Sequence, residues 1–315
     1  MLLLGIDGGG TKTEAVLCDE QGAVLGVCVS GPANPNGQDR ECAAGTIRKC
    51  VDTLLEGCND RDLMVFAGIA GCISRDNAEA MRAVLISACK CPVCVTSDAV
   101  SALSAGVGAG EDGIIAICGT GSSCFSRKKG LLMKTGGWGY LFGDAGSAYA
   151  FGKAALQEVM RAEDGYTADE ILTDIVNVKL GGKIGDAIPA IYAGGRTEIA
   201  SYSICVSEAL QAGSFRAKKL VMENAASVAK TIIKSAEKAS IEDASVVIAG
   251  SIWERMPLFF ETVKASCPDM RFIVPENRPV YGSVAEAALA AGMKTGDSFS
   301  ECFSRTYALC PQRTV

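Results

Sequence analysis

Histidine is absent from this 315-residue chain. That removes Ser–His–Asp triads, His-ligated zinc and imidazole general bases, so proton transfer at neutral pH falls to a carboxylate, lysine, cysteine or tyrosine. Long apolar runs are lacking too. Stretches such as Ile114 to Cys118 have the length of a strand and are far too short for a bilayer. No basic n-region precedes Leu2-Leu3-Leu4-Gly5-Ile6, so a secretory signal is not expected and a cytoplasmic setting is. Basic blocks are limited to Arg127-Lys128-Lys129, which sits beside Gly130 and reads as a hairpin turn. With a formal net charge of −6, neither nucleic acid nor membrane is an expected partner. The Walker pattern Gly-x-x-x-x-Gly-Lys-Thr is missing as well.

What is present is a globular composition, 49% hydrophobic and 21% charged, at a length that allows two domains with separate cores. The fifteen cysteines are scattered. Cys89, Cys91 and Cys94 form the one tight group, and no fourth ligand follows at metal-site spacing, so reduced and partly buried thiols are expected.

The order of patterns is informative. An apolar strand, Leu2 to Ile6, runs into Asp7-Gly8-Gly9-Gly10-Thr11-Lys12, and strands follow at Thr13 to Cys18 and Val24 to Val29. Helical spacing covers Asp39 to Leu55 and Arg75 to Cys89, with strands at Met64 to Ala70 and Val93 to Thr96 and a helix from Asp98 to Ala105. The opening then recurs: the strand Ile114 to Cys118 leads into Gly119-Thr120-Gly121-Ser122-Ser123 and a further strand from Cys124. Two copies of strand, glycine–hydroxyl turn and strand imply an internal duplication, with domains at 1–112 and 113–315 and the last helix available to pack back on the first domain. Helices are expected over Ala145 to Arg161, Ala168 to Val178, Ile199 to Ala212, Ala217 to Ala239 and Ser283 to Ala291, with strands at Ser245 to Ala249 and Arg271 to Val274. The segment after Lys294 yields no assignment. Alternating strands and helices make the fold class α/β, two related domains with mostly parallel sheets.

The chemistry concentrates at the turns. Glycine lets backbone N–H groups approach phosphate oxygens with no Cβ in the way, and it tolerates any φ the turn demands; Thr11 and Ser122 add hydroxyl donors. One such turn is weak evidence, whereas two in duplicate registers form a two-sided phosphate clamp better than a pair of ordinary hairpins. Asp7 beside the first turn suits the Mg²⁺ that bridges ATP phosphates, against the alternative of a turn cap. Asp98 stands where a strand ends and a helix begins, the edge at which open α/β sheets bind ligands. It is a candidate general base for a sugar hydroxyl, against the alternative of a helix N-cap. Gly136-Gly137-Trp138-Gly139-Tyr140 and Gly143-Asp144-Ala145-Gly146-Ser147 offer a flat apolar face and a carboxylate for vicinal hydroxyls, and Asp144 or Ser147 can cap the following helix. Gly250-Ser251, after a strand, gives adenine and ribose close access to backbone.

Taken in order, Asp7 to Lys12, Ser97-Asp98-Ala99, Gly119 to Ser122, Gly136 to Gly139, Gly143 to Tyr149 and Ala249-Gly250-Ser251 resemble the N-acetylglucosamine kinase-like members of the BadF/BadG/BcrA/BcrD ATPase family, to about Gly292. The resemblance implies the hexokinase/actin fold, ATP and Mg²⁺ in an interdomain cleft, and phosphate transfer to a sugar 6-hydroxyl. It casts Asp98 as base and sugar ligand, with Asn34, Gly137, Trp138, Gly139 and Asp144 around the sugar and Asp7 at the metal. Gly8, Gly9, Gly10, Thr11, Lys12, Gly119, Thr120, Gly121 and Ser122 would hold phosphates, and Ala200, Gly250 and Ser251 the nucleoside. A homodimer is expected. N-acetylglucosamine, N-acetylmuramic acid and glucosamine remain open as substrates, since Pro35 stands where animal relatives carry an aromatic. Activators of 2-hydroxyacyl-CoA dehydratases share the fold, but their cysteine-flanked Gly-Gly-Gln-Asp segment is not found. A sugar sensor without turnover is a third reading, and the zinc-bearing glucokinase type is excluded by the missing histidine.

Overall fold

The computed structural model describes residues 1–37, 39–58 and 62–315, and the chain divides into two compact units, 1–112 with 273–315 and 113–272. The first unit opens with β1 (Leu2–Gly8), β2 (Thr13–Asp19) and β3 (Val24–Ser30), an antiparallel meander. Asp19 closes the β2–β3 turn by accepting from the amides of Gln21 and Ala23, at 2.9 and 2.8 Å, an Asx arrangement that frees Gly22 for φ +86°. Helix α1 (Arg40–Leu55) lays Ile47, Cys50, Val51 and Leu54 on the sheet at the spacing of one helical face, and Asp39 caps it. Next come β4 (Leu63–Ile69), parallel to β1, then α2 (Arg75–Cys89), β5 (Val93–Thr96) parallel to β4, and α3 (Asp98–Val107).

The second unit restates this plan with β6 (Gly113–Cys118), β7 (Ser122–Lys128) and β8 (Leu131–Thr135) as its meander. Its helices are α4 (Ala148–Glu163), α5 (Glu170–Leu180), α6 (Ile184–Ser201), α7 (Ser203–Gln211) and α8 (Phe215–Ala239). Then β9 (Ser245–Ala249) pairs parallel to β6, and α9 (Ser251–Arg255), α10 (Pro257–Ala265) and β10 (Arg271–Ile273) follow. The core of this unit gathers Phe151, Phe259, Ile232, Val221 and Trp253 under the sheet, where the Trp253 indole N–H donates to the Ala116 carbonyl at 3.2 Å.

From Ile273 the chain is again part of the first unit, adding α11 (Pro279–Ala290), α12 (Asp297–Leu309) and β11 (Gln312–Thr314). The strand orders are β11-β3-β2-β1-β4-β5 and β10-β9-β6-β7-β8. Apart from β11 they are one order written twice, so the duplication read from the two glycine turns is present in the topology of the sheets. Helix α11 crosses β1 and β4 closely because small residues line the contact. A methyl group at Gly282 would collide with the Ser101 carbonyl in α3, and one at Gly5 would come within 2.6 Å of the Val284 amide. Among the described residues no helix is long and apolar enough to cross a membrane.

Candidate active site

In the first unit the glycine turn is stitched to two neighbouring loops. The Gly9 amide donates to the Lys12 carbonyl at 2.8 Å, the Gly9 carbonyl accepts from Ala33 at 3.0 Å, and the Gly8 carbonyl accepts from Ala70 at 2.7 Å. These bonds bring the Asn34 loop and the Ala70-Gly71 turn to the end of β1. Asn34 accepts from the Asn36 amide through Oδ1 at 2.9 Å, and Gly71, at φ +83°, lies so close that a methyl group there would stand 2.6 Å from the same oxygen. Asn77 fastens the corner, donating to Asn36 Oδ1 and the Gly71 carbonyl.

Asp7 and Asp98 meet here. Asp7 is paired with Gly68 in the β1–β4 ladder, and a methyl group at Gly68 would lie 3.3 Å from Asp98 Cα. Ser97, not Asp98, is the N-cap of α3: its hydroxyl oxygen accepts from the Ala99 amide at 3.3 Å and its O–H donates to Asp98 Oδ1 at 3.0 Å. Asp98 is thereby the first residue of the helix, its carboxylate held by Ser97 and by the amides of the first turn. Burial raises its pKa, opposed by the bonds from Ser97 and the Ala99 amide. Asp7 is pushed up to about 7, first by burial and then by the carboxylates of Asp98 and Glu14, with Lys12 opposing. Such crowding of buried negative charge is what a divalent cation relieves. Among the described residues no group of three or more carboxylates or thiols is placed to hold a metal. Mg²⁺ takes one or two protein carboxylates and completes its shell with water and phosphate, so the chemistry of the Asp7 and Asp98 pair fits it.

Lys12, expected to contact nucleotide, is here held by a carboxylate. Its ammonium donates to buried Glu14 at 2.9 Å, and Glu14 also receives the Tyr307 hydroxyl at 2.6 Å with the Arg278 guanidinium 3.8 Å away. Sequence reasoning missed this group because Tyr307 and Arg278 come from the far end of the sequence, in the returning segment.

In the second unit the Gly119 amide donates to the Gly121 carbonyl at 2.9 Å. The Gly119 and Thr120 carbonyls accept from Ala148 and Tyr149, at 2.8 and 3.2 Å, which ties the turn to the start of α4. Ser147 caps that helix through the Ala150 amide. The Ser122 proton, expected to serve phosphate, is already given to the Ala145 carbonyl at 2.8 Å. Thr120 is exposed and available. A positive φ is not the reason for glycine in either turn: Gly8 to Gly10, Gly119 and Gly121 are absent from the left-handed region. A methyl group at Gly10 or Gly119 would meet nothing within 4 Å, so what those positions leave open is room beside the backbone for a ligand. At Gly121 a methyl group would instead strike Arg196 and Asp144.

Gly136, Gly137 and Gly139 do adopt φ of +71°, +65° and +99°, and Gly137 packs so tightly that a methyl group would fall 2.6 Å from Ser123 Cβ. This loop leaves Trp138 73% exposed, with the Lys134 ammonium 5.2 Å from its ring. Gly137, Trp138, Asp144, Ser122 and Thr231 line a cavity of about 160 Å³. Asp144 is buried in the left-handed region at φ +65° and pairs with Arg196 at 3.5 Å. Arg196 was not foreseen; the pair Gly194-Gly195 before it was the available signal. Gly250, at φ +103°, lies on the Cys118 carbonyl at the base of the Gly119 turn, with Ser251 opening α9. Ala200, expected near the nucleoside, is buried. It is 7% exposed beside Ile199, whose carbonyl packs on Gly152 of α4, and so has almost no surface for a nucleoside.

The chain is 28% identical over 300 residues to the N-acetylmuramic acid/N-acetylglucosamine kinase of Clostridium acetobutylicum, covering 90% of this chain and 96% of that protein. A solved structure from Chromobacterium violaceum with the provisional name N-acetylglucosamine kinase superposes with a TM-score of 0.74 at 20% identity, over 91% of this chain and 98% of the other. A ROK-family glucokinase from Streptomyces griseus, solved with glucose and AMPPNP, superposes at 0.55 with 19% identity, over 93% of this chain and all of that one. These likenesses carry the duplicated actin-like ATPase fold read from the sequence. The sequence itself matches one family model without a break from residue 4 to residue 289, through both glycine turns and both halves of the duplication, and on that match this chain belongs to the BadF/BadG/BcrA/BcrD ATPase family.

Proposed function

We propose that the chain is an ATP-dependent kinase of an N-acetylated amino sugar, transferring phosphate to the 6-hydroxyl. The observation that carries this reading is Asp98. It is a half-buried carboxylate at the carboxyl end of the parallel strands β4 and β5, held by the Ser97 hydroxyl and set beside Asp7 and the glycine turn, in a chain with no imidazole to act in its place. Relatives named as amino-sugar kinases support the substrate class.

In this reading Asp98 accepts the proton of the primary sugar hydroxyl as that oxygen bonds to the terminal phosphorus of ATP. The bond from that phosphorus to the bridging oxygen breaks, and ADP leaves. Raising the pKa of Asp98 by burial makes it a better proton acceptor while it is ionised. The backbone of Gly8 to Gly10 and of Gly119 to Gly121, with Thr11 and Thr120, would hold phosphate oxygens. Asp7 would hold Mg²⁺, which supplies charge neutralisation at the phosphates. Asn34, Asp144 and the Gly137–Gly139 loop would fix the ring hydroxyls, and holding reactants in place can supply on the order of 7–11 kcal/mol of the barrier at its limit. Fifteen free thiols suit a reducing cytoplasm, and we expect a homodimer, to be read by light scattering.

The test is a panel of N-acetylglucosamine, N-acetylmuramic acid, glucosamine and glucose in an ATP-consumption assay, with phosphorus-coupled NMR of the product. The expected result is turnover of the N-acetylated sugars with phosphorus coupled to both protons on carbon 6. Phosphate on the anomeric oxygen alone, or turnover of glucose alone, would sink the reading.

A further inference from the structure

Arg196 follows the one break in α6. At Gly195 the backbone takes φ 57° and ψ −139°, so the turn carrying Arg196 is released from the axis of the residues before it. That turn brings the guanidinium against the second glycine turn. A methyl group at Gly121 would collide with Arg196 Nη2 and stand 2.8 Å from Asp144 Oδ2. Nη2 donates to Asp144 Oδ2 across 3.5 Å, and the guanidinium lies over the Tyr140 ring at 5.5 Å.

This is a poor resting place for both partners. A guanidinium and a carboxylate that belong together close to about 2.7–2.9 Å, commonly through two parallel bonds. Here one long bond is made, and the other carboxylate oxygen, Asp144 Oδ1, is buried with no hydrogen-bond partner. Leaving a buried acceptor unmet is costly, so the arrangement is one that a ligand completes. The Arg196 side chain is 39% exposed against 4% for Asp144, so it is the member of the pair with open space to turn into.

We propose that Arg196 is a phosphate-contacting residue that exchanges Asp144 for the terminal phosphate of the nucleotide. The proposal rests on the kinase reading above and adds a residue that links its two substrates. Arg196 and Asp144 both abut the Gly121 position of the second glycine turn. The phosphate it can meet is therefore the one nearest the sugar, which is the one to be transferred. Guanidinium suits this task because its fork matches two phosphate oxygens and keeps its charge at every working pH. Once Arg196 has turned to phosphate, both oxygens of Asp144 are free to accept sugar hydroxyls. Nucleotide then strengthens sugar binding, and by linkage sugar strengthens nucleotide binding by the same factor.

Calorimetry on the whole protein tests this, using a non-hydrolysable ATP analogue, ADP and N-acetylglucosamine, each alone and in combination, on wild type, Arg196→Gln and Arg196→Lys. In Arg196→Gln the analogue is expected to bind about tenfold more weakly or worse, the loss of a charged hydrogen bond. ADP binding should change far less, and the strengthening of sugar binding by the analogue should vanish. Arg196→Lys keeps the charge without the fork and should recover part of the analogue affinity. Unchanged analogue affinity in Arg196→Gln, with weaker sugar binding, would mean that Arg196 only props Asp144 and would overturn the proposal. Equal weakening of analogue and ADP would overturn it too. Wild-type protein that binds the analogue but no amino sugar removes the amino-sugar reading alone, and the comparison of analogue with ADP still decides for Arg196.

Discussion

Asp98 shows how much a single residue owes to its neighbour. Ser97 caps the helix and its hydroxyl also donates to the Asp98 carboxylate, so the neighbour that ends the strand's free backbone is the one that holds Asp98 beside Asp7. Asp98→Asn retains shape and the bond from Ser97 while removing proton acceptance. Turnover is therefore expected to fall by about 10²–10⁴ with the thermal midpoint and ATP affinity close to wild type. Near-normal turnover in the purified variant would remove Asp98 from the role of base. The residue types and their strand-end positions were legible from sequence. The bond from the Ser97 hydroxyl to the Asp98 carboxylate was not, because it depends on the rotamers that the fold selects. Lys12 is the converse: its place in a glycine turn suggested phosphate, and a buried Glu14, invisible as such in the sequence, claims it instead.

At the scale of elements, the two glycine-bearing segments of the second unit are of different kinds, and this separates ligand space from structural need. Gly119 has ordinary φ and open surroundings, so Gly119→Ala should change stability by no more than about 0.5 kcal/mol. It should nonetheless weaken ATP binding, because the new methyl group occupies the face on which phosphate would lie. Gly137, at φ +65° and against Ser123, cannot accept a methyl group without strain, and Gly137→Ala should cost on the order of 1–3 kcal/mol. Chemical denaturation with nucleotide calorimetry reads both quantities; a destabilised Gly119→Ala with unaltered ATP affinity would contradict the assignment. Elements with clean periodicity, such as β1, β2 and α8, were legible. Helix α6 was not, since Pro189 and Gly194-Gly195 break the local pattern and packing of Ile191 and Ile199 restores the helix. Helix α12 escaped for a different reason. Phe299, Phe303 and Tyr307 do fall at helical spacing, but they gain meaning only through Tyr281, 5.0 Å from the Phe303 ring.

For the whole molecule, the consequence of the return at Ile273 is that the two units differ in their dependence on chain continuity. Residues 113–272 are one unbroken segment with a core of their own, from Phe151 to Phe259. Residues 1–112 share their unit with the returning segment 273–315. The face of β1 and β4 is covered by α11, where Val280, Tyr281, Val284 and Ala288 are buried, and the Ser283 hydroxyl donates to the Ile6 carbonyl at 2.8 Å. Ser104 and the Gly110 amide likewise both give hydrogen bonds to Glu286 of that helix. Each large apolar side chain so buried contributes roughly 1.5–3 kcal/mol, and a domain holds only about 5–15 kcal/mol in total. Removing α11 and α12 therefore takes away most or all of the margin. The segment 113–272 expressed alone is expected to unfold in one cooperative denaturant transition, and the segment 1–112 alone to show none. Joining residues 273–315 ahead of residue 1 through a flexible linker should restore the transition, because the missing contribution is a packed face and not the order of the chain. A cooperative transition in 1–112 alone, at the same midpoint as the rejoined version, would show that the sheet is stable without its returning helix.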